Sequence, residues 1–547
     1  MAKKPATKQQ KVEAGIRRGQ LNILGTAKSE KITLRLKPRD RSRLQVDVGG
    51  NGSAEFTFNR SAFSRIVVHG ASGADALSID ERFGVFTNRA ATSLFGDAGN
   101  DLLRSGSAAE RLFGGIGNDT IDGKRGNDLI EGGAGSDLVV SNGSNTAEKF
   151  AFSANRNRLR FVARSTMNIG GVERFDLRTL GGADNVVVDD LSGAGLGQLN
   201  ADLANDGAAD VVDIKGSSAA NELRVGAGIS IGGIGAAVNV LHAQAANDKL
   251  NLDPGAGSDR VTVEGTAGND AIAIAPNSGA VDVTGLAVAV KIERSEAAND
   301  VLNVNGLDGN DTISGAVGLA ALIKLGIDGG AGNDTINGGD GAEALLGGDG
   351  NDVIDGNGGA DTGFLGAGDD SFIWDPGDGS DVVEGQDGAD TLLFNGAAVA
   401  ENFDLSANGN RLRLFRTQGN ITMDVDDTEF IDVQALGGAD NAVVNDTRGT
   451  DLKAVAFDLE AAIGGGAGDG AVDSVRVNGT NDPDDIQFTA SAGVVEVFGA
   501  PVTVRIDHSE AANDLLAINT LDGDDEVTIG DGVAELIQTL VDFGGDE

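Results

Sequence analysis

Apolar residues along this chain fall into two patterns, and neither has a helical period. Some runs alternate strictly, as in Arg411-Leu-Arg-Leu-Phe415 and Ala280-Val-Asp-Val283. Alternation puts every second side chain on one face, as in a strand with a single buried side. Elsewhere only two or three apolar residues stand together, as in Val353-Ile354 before Asp355, set between clusters of glycine and acid. Such a triplet makes a minimal strand with its central residue pointing inward. Turn signals recur at roughly 8–12 residues, which leaves no room for helices. The pattern predicts an all-β chain of many short strands and tight turns.

The triplets repeat at a fixed phase. From Gly96 the chain reads GDAGNDLLR, SGSAAERLF, GGIGNDTID, GKRGNDLIE, GGAGSDLVV, each nine residues long, with Asp101, Glu110, Asp119, Asp128 and Asp137 in sixth place. From Gly329 it reads GGAGNDTIN, GGDGAEALL, GGDGNDVID, GNGGADTGF, LGAGDDSFI, with Asp334, Glu343, Asp352, Asp361 and Asp370 in sixth place. Both arrays hold Glu at the second acid. Glycines early in each unit permit the φ > 0 conformations of a sharp turn. Two units then form one coil of a flat solenoid, with coils stacked at ~4.8 Å. Carboxylates on one side of successive coils would stand about that far apart, and each like-charged pair costs on the order of 1 kcal/mol in water. A hard divalent cation removes that repulsion. Ca²⁺ accepts six to eight oxygens in flexible geometry, whereas Mg²⁺ is stricter and keeps its water.

Composition fits an acidic body without covalent staples. Of 547 residues, 84 are Asp or Glu and 42 Lys or Arg, for a net charge of −42, with 84 Gly, 7 Pro and no Cys. Disulfides and thiolate metal sites are thereby excluded. At 40% hydrophobic residues the chain can bury a core, unlike an acidic disordered one. Residues 1–45 hold 13 Lys/Arg against 3 Asp/Glu, which leaves −52 on the remainder. A body so acidic repels nucleic acid and attracts cations. The basic start lacks interleaved aromatics, so no nucleic-acid partner is expected. No apolar run reaches the ~18 residues of a membrane span. MAKKPATKQQKVEAG has no apolar core and is not expected to be a cleavable secretory signal.

GGIGNDTID (114–122) and GGDGNDVID (347–355) resemble the hemolysin-type, or RTX, calcium-binding nonapeptide GGxGxDxUx, and the chain resembles multi-array bacterial calcium-binding proteins. The resemblance implies a right-handed parallel β-roll, or β-solenoid, with Ca²⁺ held in the Gly/Asp turns. In the first array the implied ligand turns comprise Gly96, Gly99 and Asp101; Gly114, Gly115, Gly117 and Asp119; Gly126 and Asp128; and Gly132, Gly133, Gly135 and Asp137. In the second they comprise Gly329, Gly330, Gly332 and Asp334; Glu343; Gly347, Gly348, Gly350 and Asp352; Gly356, Gly359 and Asp361; then Asp370, Asp381 and Asp390. If an ion bridges units two apart, the pairs 101/119, 110/128 and 119/137 allow three ions. The pairs 334/352, 343/361, 352/370, 361/381 and 370/390 allow five. About eight is therefore a ceiling, and the Glu-containing sites are the weakest. The resemblance also implies a secreted or cell-surface location through type I export, with cell-surface polysaccharide or self-association as partners beside calcium.

The expected organisation is a basic disordered tail (1–20), a degenerate β repeat region (21–94), the first array (95–145), an inter-array β region (146–327), the second array (328–395) and a second inter-array region (396–547). SANRNRLRFV (153–162) recurs as SANGNRLRLF (406–415), LGGADN (180–185) recurs at 436–441, and AAND begins at 245, 297 and 511. A continued solenoid is the favoured reading of these blocks, with an inserted β-sandwich as the alternative. The stretch 532–547 repeats the approach to the second array at 318–336, so a third array is expected to begin there and the chain to be a truncated member of a longer protein.

Catalytic signals are thin. His69, His242 and His508 lie in strand-like segments, and no HExxH exists. Gly228-Ile-Ser-Ile-Gly232 matches GxSxG but lacks a following helix pattern. Trp374 is expected to cap a roll edge. No enzyme is expected. The alternative is an adhesin, or an enzyme acting for instance on polysaccharide, with its activity in the inter-array blocks or in missing parts.

Overall fold

The computed structural model describes residues 11–226 and 228–544. The chain divides into two compact units, Met1–Arg260 with Ala287–Arg294, and Val261–Leu286 with Ser295–Glu547. In each unit the chain passes back and forth between two sheets of mostly parallel strands, and among the described residues its only helices are three-residue 3₁₀ turns. The all-β solenoid expected from the repeats is what forms.

The first array, in the first unit, shows the construction. Strands Leu102–Arg104, Thr120–Asp122 and Leu138–Ser144 pair in parallel at an 18-residue step, Thr120 opposite Leu102 and Leu138 opposite Thr120. Across the coil, Ala91–Ala98, Arg111–Ile116 and Leu129–Ala134 do the same. One residue per triplet faces inward, giving a column of Leu94, Leu103, Leu112, Ile121, Ile130 and Val139, none more than 1% exposed. The second array, in the second unit, repeats this with Ile336, Leu345, Ile354, Phe372 and Val383. Where Gly363 takes an inward place, the Phe372 ring fills the gap; a β-carbon on Gly363 would stand 2.7 Å from that ring. Burial of this column, at about 25 cal/mol per Å² of apolar surface, is what drives the coils to stack.

In each unit the inter-array blocks continue that unit's two sheets, and among the described residues they form no separate sandwich. Their alternating strands make three-stranded antiparallel meanders inserted into an otherwise parallel sheet. In the first unit, Lys149–Asn155, Arg158–Val162 and Thr166–Gly170 fold back on one another, with Thr166–Gly170 parallel to Leu129–Ala134 and Lys149–Asn155 parallel to Asn185–Val188. Meanders at Lys31–Asn59 and Glu222–Leu241 lie in the opposite sheet. In the second unit, Asn402–Asp426 forms a meander in one sheet and Asp485–Asp507 forms the next in the other. Successive inserts thus alternate between the sheets in each unit.

Two expectations are corrected. The basic tail is not disordered throughout, because Glu13–Arg17 pairs antiparallel with Gln20–Leu24 around a turn with Arg18 and Gly19 at positive φ. Gln20–Leu24 is itself a rung of the sheet, and its free side templates the extra strand; residues 1–10 of the expected tail lie outside the described residues. Trp374 caps nothing. It is fully buried, lies flat against Phe394 (ring centroids 4.1 Å apart) and donates its indole N–H to Gly379 O at 2.9 Å, with the Arg416 guanidinium 5.3 Å from the ring. Burial satisfies both its apolar face and its single donor.

Candidate metal centre

Every acid in sixth place sits at the end of a turn and the start of a strand, so its backbone N–H points along the stack at the next coil. Asp101 N–H donates to Oδ1 of Asp119, and Asp119 N–H to Oδ1 of Asp137, each at 2.7 Å. On the opposite edge Glu110 N–H donates to Asp128 Oδ1 at 2.7 Å. In the second array one row runs Asp334, Asp352, Asp370, Asp390 and the other Glu343, Asp361, Asp381, with steps of 2.7 to 2.9 Å. All eight carboxylate pairs expected from the spacing are therefore brought together. The rows end on longer side chains: Asp137 N–H donates to Glu173 and Asp390 N–H to Glu429, both at the exit of a meander.

These hydrogen bonds account for only one oxygen of each carboxylate. Oδ2 of Asp101, Asp119, Asp128, Asp137, Asp334, Asp352, Asp361, Asp370 and Asp390 is buried with no hydrogen-bond partner. A buried carboxylate oxygen without a donor is strongly unfavourable. Burial accordingly pushes these carboxyls above their ordinary range, Asp128 to about 8, Asp390 to about 7, and Asp352 and Asp137 to about 6. Neighbouring carboxylates push the same way, and the backbone N–H bond opposes both.

The unpartnered oxygens face oxygens. A β-carbon added to Gly114 would run into both Asp119 Oδ2 and the carbonyl oxygen of Gly132, and one on Gly329 into Asp334 Oδ2 and Gly347 O. Glycine in first place therefore leaves open a small cradle walled by carboxylate and carbonyl oxygen. The turn is held open by positive φ in second and fourth place, as at Gly115 (121°) and Gly117 (132°), or Gly348 (113°) and Gly350 (140°). Such angles favour glycine. An all-oxygen cradle with an orphaned anionic oxygen and no N–H donor fits a hard cation such as Ca²⁺.

The two Glu-containing turns differ from each other. Glu343 accepts from the N–H of Gly339 and of Gly341 at 3.1 and 3.0 Å, so both its oxygens are satisfied. Glu110 accepts from Gly106 N–H at 3.2 Å through Oε2 while its Oε1 is buried without a partner, and the first place of its turn holds Ser105, whose hydroxyl donates to Gly123 O. Asp381, after the stretched WDPGDGSD turn, keeps its place in the row through the N–H of Asp361.

Sequence reasoning missed that the rows run on beyond the arrays. Glu30, Asp75 and Asp101 are linked by the same hydrogen bonds in the first unit, as are Asp270, Asp311 and Asp334 in the second. Glu148, Asp184, Asp210 and Asp248 form a further row, and so do Glu401, Asp440, Asp473 and Asp514. Their signal was present: an acid follows a small residue by five places in GASGAD (70–75), GTAGND (265–270) and GLDGND (306–311).

The remaining candidates make structural contacts. His69, His242 and His508 face Asp97, Asp202 and Asp458 at 3.0, 2.7 and 2.6 Å. Ser230 opens a three-residue strand inside a meander, and its hydroxyl donates to Asn239. Asp458, Glu460 and His508 approach within 4.8 Å of one another, but the Glu460 carboxylate is held by the N–H groups of Gly464 and Gly466. Among the described residues no helix is long and apolar enough to cross a membrane.

The sequence matches the RTX calcium-binding nonapeptide repeat family over residues 88–121, 113–145, 327–345, 337–372 and 377–396. No curated protein matches it. The matched residues include the array turns that carry orphaned carboxylate oxygens, so the two arrays of this chain consist of RTX-type calcium-binding repeats.

Proposed function

We propose that this protein is a secreted, extracellular or surface-associated calcium-binding module whose arrays fold when calcium binds, with a structural rather than a catalytic role. One observation carries the reading: rows of buried carboxylate oxygens face carbonyl oxygens with no donor among them. Calcium bound in these turns supplies the positive charge that the oxygens lack. Asp119, Asp137, Asp352, Asp370 and their row neighbours each hold one oxygen on the adjacent coil's N–H and present the other to the cradle, so each acid ties two coils together. Eight pairs set the upper number of ions in the arrays, with Glu110 and Glu343 contributing least.

Affinities of roughly 10⁻⁴–10⁻³ M are typical of extracellular calcium modules and far above cytosolic calcium. The arrays would then remain unfolded in the cytosol and fold after export. A structural role is supported by the pairing of all three histidines with aspartates and by the placement of Ser230 in a strand. The test is a calcium titration of metal-depleted protein followed by far-ultraviolet circular dichroism. A cooperative rise in β-signal in the sub-millimolar to millimolar range is expected; a full β-signal before any calcium is added would refute calcium-gated folding.

A further inference from the structure

We propose that two turns outside the repeat arrays, Gly70–Asp75 and Gly306–Asp311, each bind a calcium ion and extend the two arrays by one coil at their N-terminal ends. The inference rests on the calcium reading of the arrays and adds sites to which neither the nine-residue period nor the family match extends.

Four observations coincide at each turn. Asp75 is 2% exposed and Asp311 1%, and Oδ2 of each is buried without a partner. The row is unbroken, since Asp75 N–H donates to Asp101 Oδ1 and Asp311 N–H to Asp334 Oδ1, both at 2.7 Å. Glycine stands in first place: a β-carbon on Gly70 would lie 2.5 Å from Asp75 Oδ2 and 2.7 Å from Gly96 O, and one on Gly306 would run into Asp311 Oδ2 and Gly329 O. The carbonyl oxygens thus come from the opening glycine of each array. The turns are also held open by positive φ in second and fourth place, at Ala71 (78°) and Gly73 (117°), and at Leu307 (83°) and Gly309 (119°). Ala and Leu are disfavoured at such angles.

The next coil outward shows a turn that needs no ion. Glu30 Oε2 accepts from Thr26 N–H at 2.9 Å, and Asp270 Oδ2 from Thr266 N–H at 2.6 Å. Neither Thr26 nor Thr266 has positive φ. Each carboxylate is thereby satisfied by its own turn, as are Asp248 by Gln244 and Asp514 by Glu510. The chain also contains a neutral substitute for the ion. At Gly216–Asn221 an asparagine takes the sixth place, and its Nδ2 donates to Pro254 O at 2.9 Å, across the same cradle that Gly216 leaves open. Where an N–H can be supplied, the oxygen pair is bridged by hydrogen; at Asp75 and Asp311 it has only oxygens. We confine the proposal to these two turns, because the open turns at Asp184 and Asp525 carry Thr179 and Thr520 in first place.

The experiment is calcium stoichiometry at saturation, by equilibrium dialysis of the full chain, for wild type, Asp75→Asn, Asp311→Asn and Asp514→Asn. Asparagine preserves the Oδ1 acceptor and supplies the N–H seen at Asn221, so the variants should fold, with circular dichroism as the check. Each of Asp75→Asn and Asp311→Asn is expected to bind one ion fewer than wild type, and Asp514→Asn the same number. Should either first-named variant fail to fold, Gly70→Ala or Gly306→Ala closes the cradle with the acid retained, and the same loss of one ion is expected. Unchanged stoichiometry in these variants overturns the added sites while leaving the arrays intact; absence of calcium from wild type overturns both.

Discussion

The backbone N–H of Asp352 donates to Oδ1 of Asp370, 18 residues on and 2.7 Å away, while Oδ2 of Asp370 is buried with no partner at all. One carboxylate therefore works in two directions. Its first oxygen fixes the register of neighbouring coils, and its second creates a demand for positive charge that no side chain or N–H in the turn meets.

Removal of calcium should unfold the arrays. The buried Trp374, flat against Phe394 and bonded to Gly379 O, reports on the end of the second array. Chelation is expected to shift its fluorescence to longer wavelength together with loss of the β-signal. Emission unchanged by a chelator would show that this end of the array stands without the ion.

The sites should rank by how many neighbouring acids each carboxylate is linked to. Asp352 is linked to Asp334 on one side and Asp370 on the other, and its Oδ2 is orphaned. Glu110 also leaves one oxygen orphaned, but its row hydrogen bond links it to Asp128 alone. Asp352→Ala should remove two ions and raise the calcium midpoint several-fold, while Glu110→Ala should remove at most one. Calcium titrations that gave equal losses would contradict this order.

Stability should respond to pH in opposite senses with and without calcium. In the calcium-free fold burial holds Asp128 at about 8, Asp390 at about 7 and Asp352 at about 6, against an ordinary 3.8. Folding then favours the protonated acid, so this contribution is complete below about pH 4 and is lost as pH rises through 6 to 8. Calcium-depleted protein, with its arrays unfolded at pH 8, should therefore regain β-signal as the pH is lowered to 5. Saturating calcium should reverse the trend, with a lower urea midpoint at pH 5 than at pH 8, because protons compete with the ion for the same oxygens.

Glycine in second place should be irreplaceable where the coils touch. Gly348 has φ of 113°, and a β-carbon there would run into the carbonyl oxygen of Gly330 in the preceding coil. Gly348→Ala is expected to lower stability by roughly 2–4 kcal/mol, combining strain with overpacking, as read from urea denaturation in calcium. A change below 1 kcal/mol would mean that the coils can part at this point.

The first array was legible because its turns have one length, so the nine-residue period alone puts Asp101, Asp119 and Asp137 on one edge. The added rungs were not. Asp75 precedes Asp101 by 26 residues and Asp311 precedes Asp334 by 23, because the intervening segments on the opposite edge are longer while the row itself is unbroken. Ala71 and Leu307 further disguise the turns, since nothing in those residue types announces a positive φ. The alternation in 406–415 gave the strands correctly but not the direction of their neighbours: Arg411–Arg416 runs antiparallel to both flanking strands. Alternation specifies which face is buried and says nothing about which way the adjacent strand points.

The alternating placement of the meanders has a consequence for how such a chain can lengthen. Each three-stranded insert gives one sheet two strands more than a plain coil would, a displacement of about 10 Å at ordinary strand spacing. In the second unit the insert at Asn402–Asp426 advances one sheet, and the insert at Asp485–Asp507 advances the other by the same amount. The two faces fall out of step and then back into it. The row Asp75, Asp101, Asp119, Asp137 runs unbroken after the single insert at Lys31–Asn59, so the turns absorb one such offset. A second insert in the opposite sheet brings the faces back into step, so duplication of a block holding the inserts in pairs lengthens the solenoid without adding to the offset.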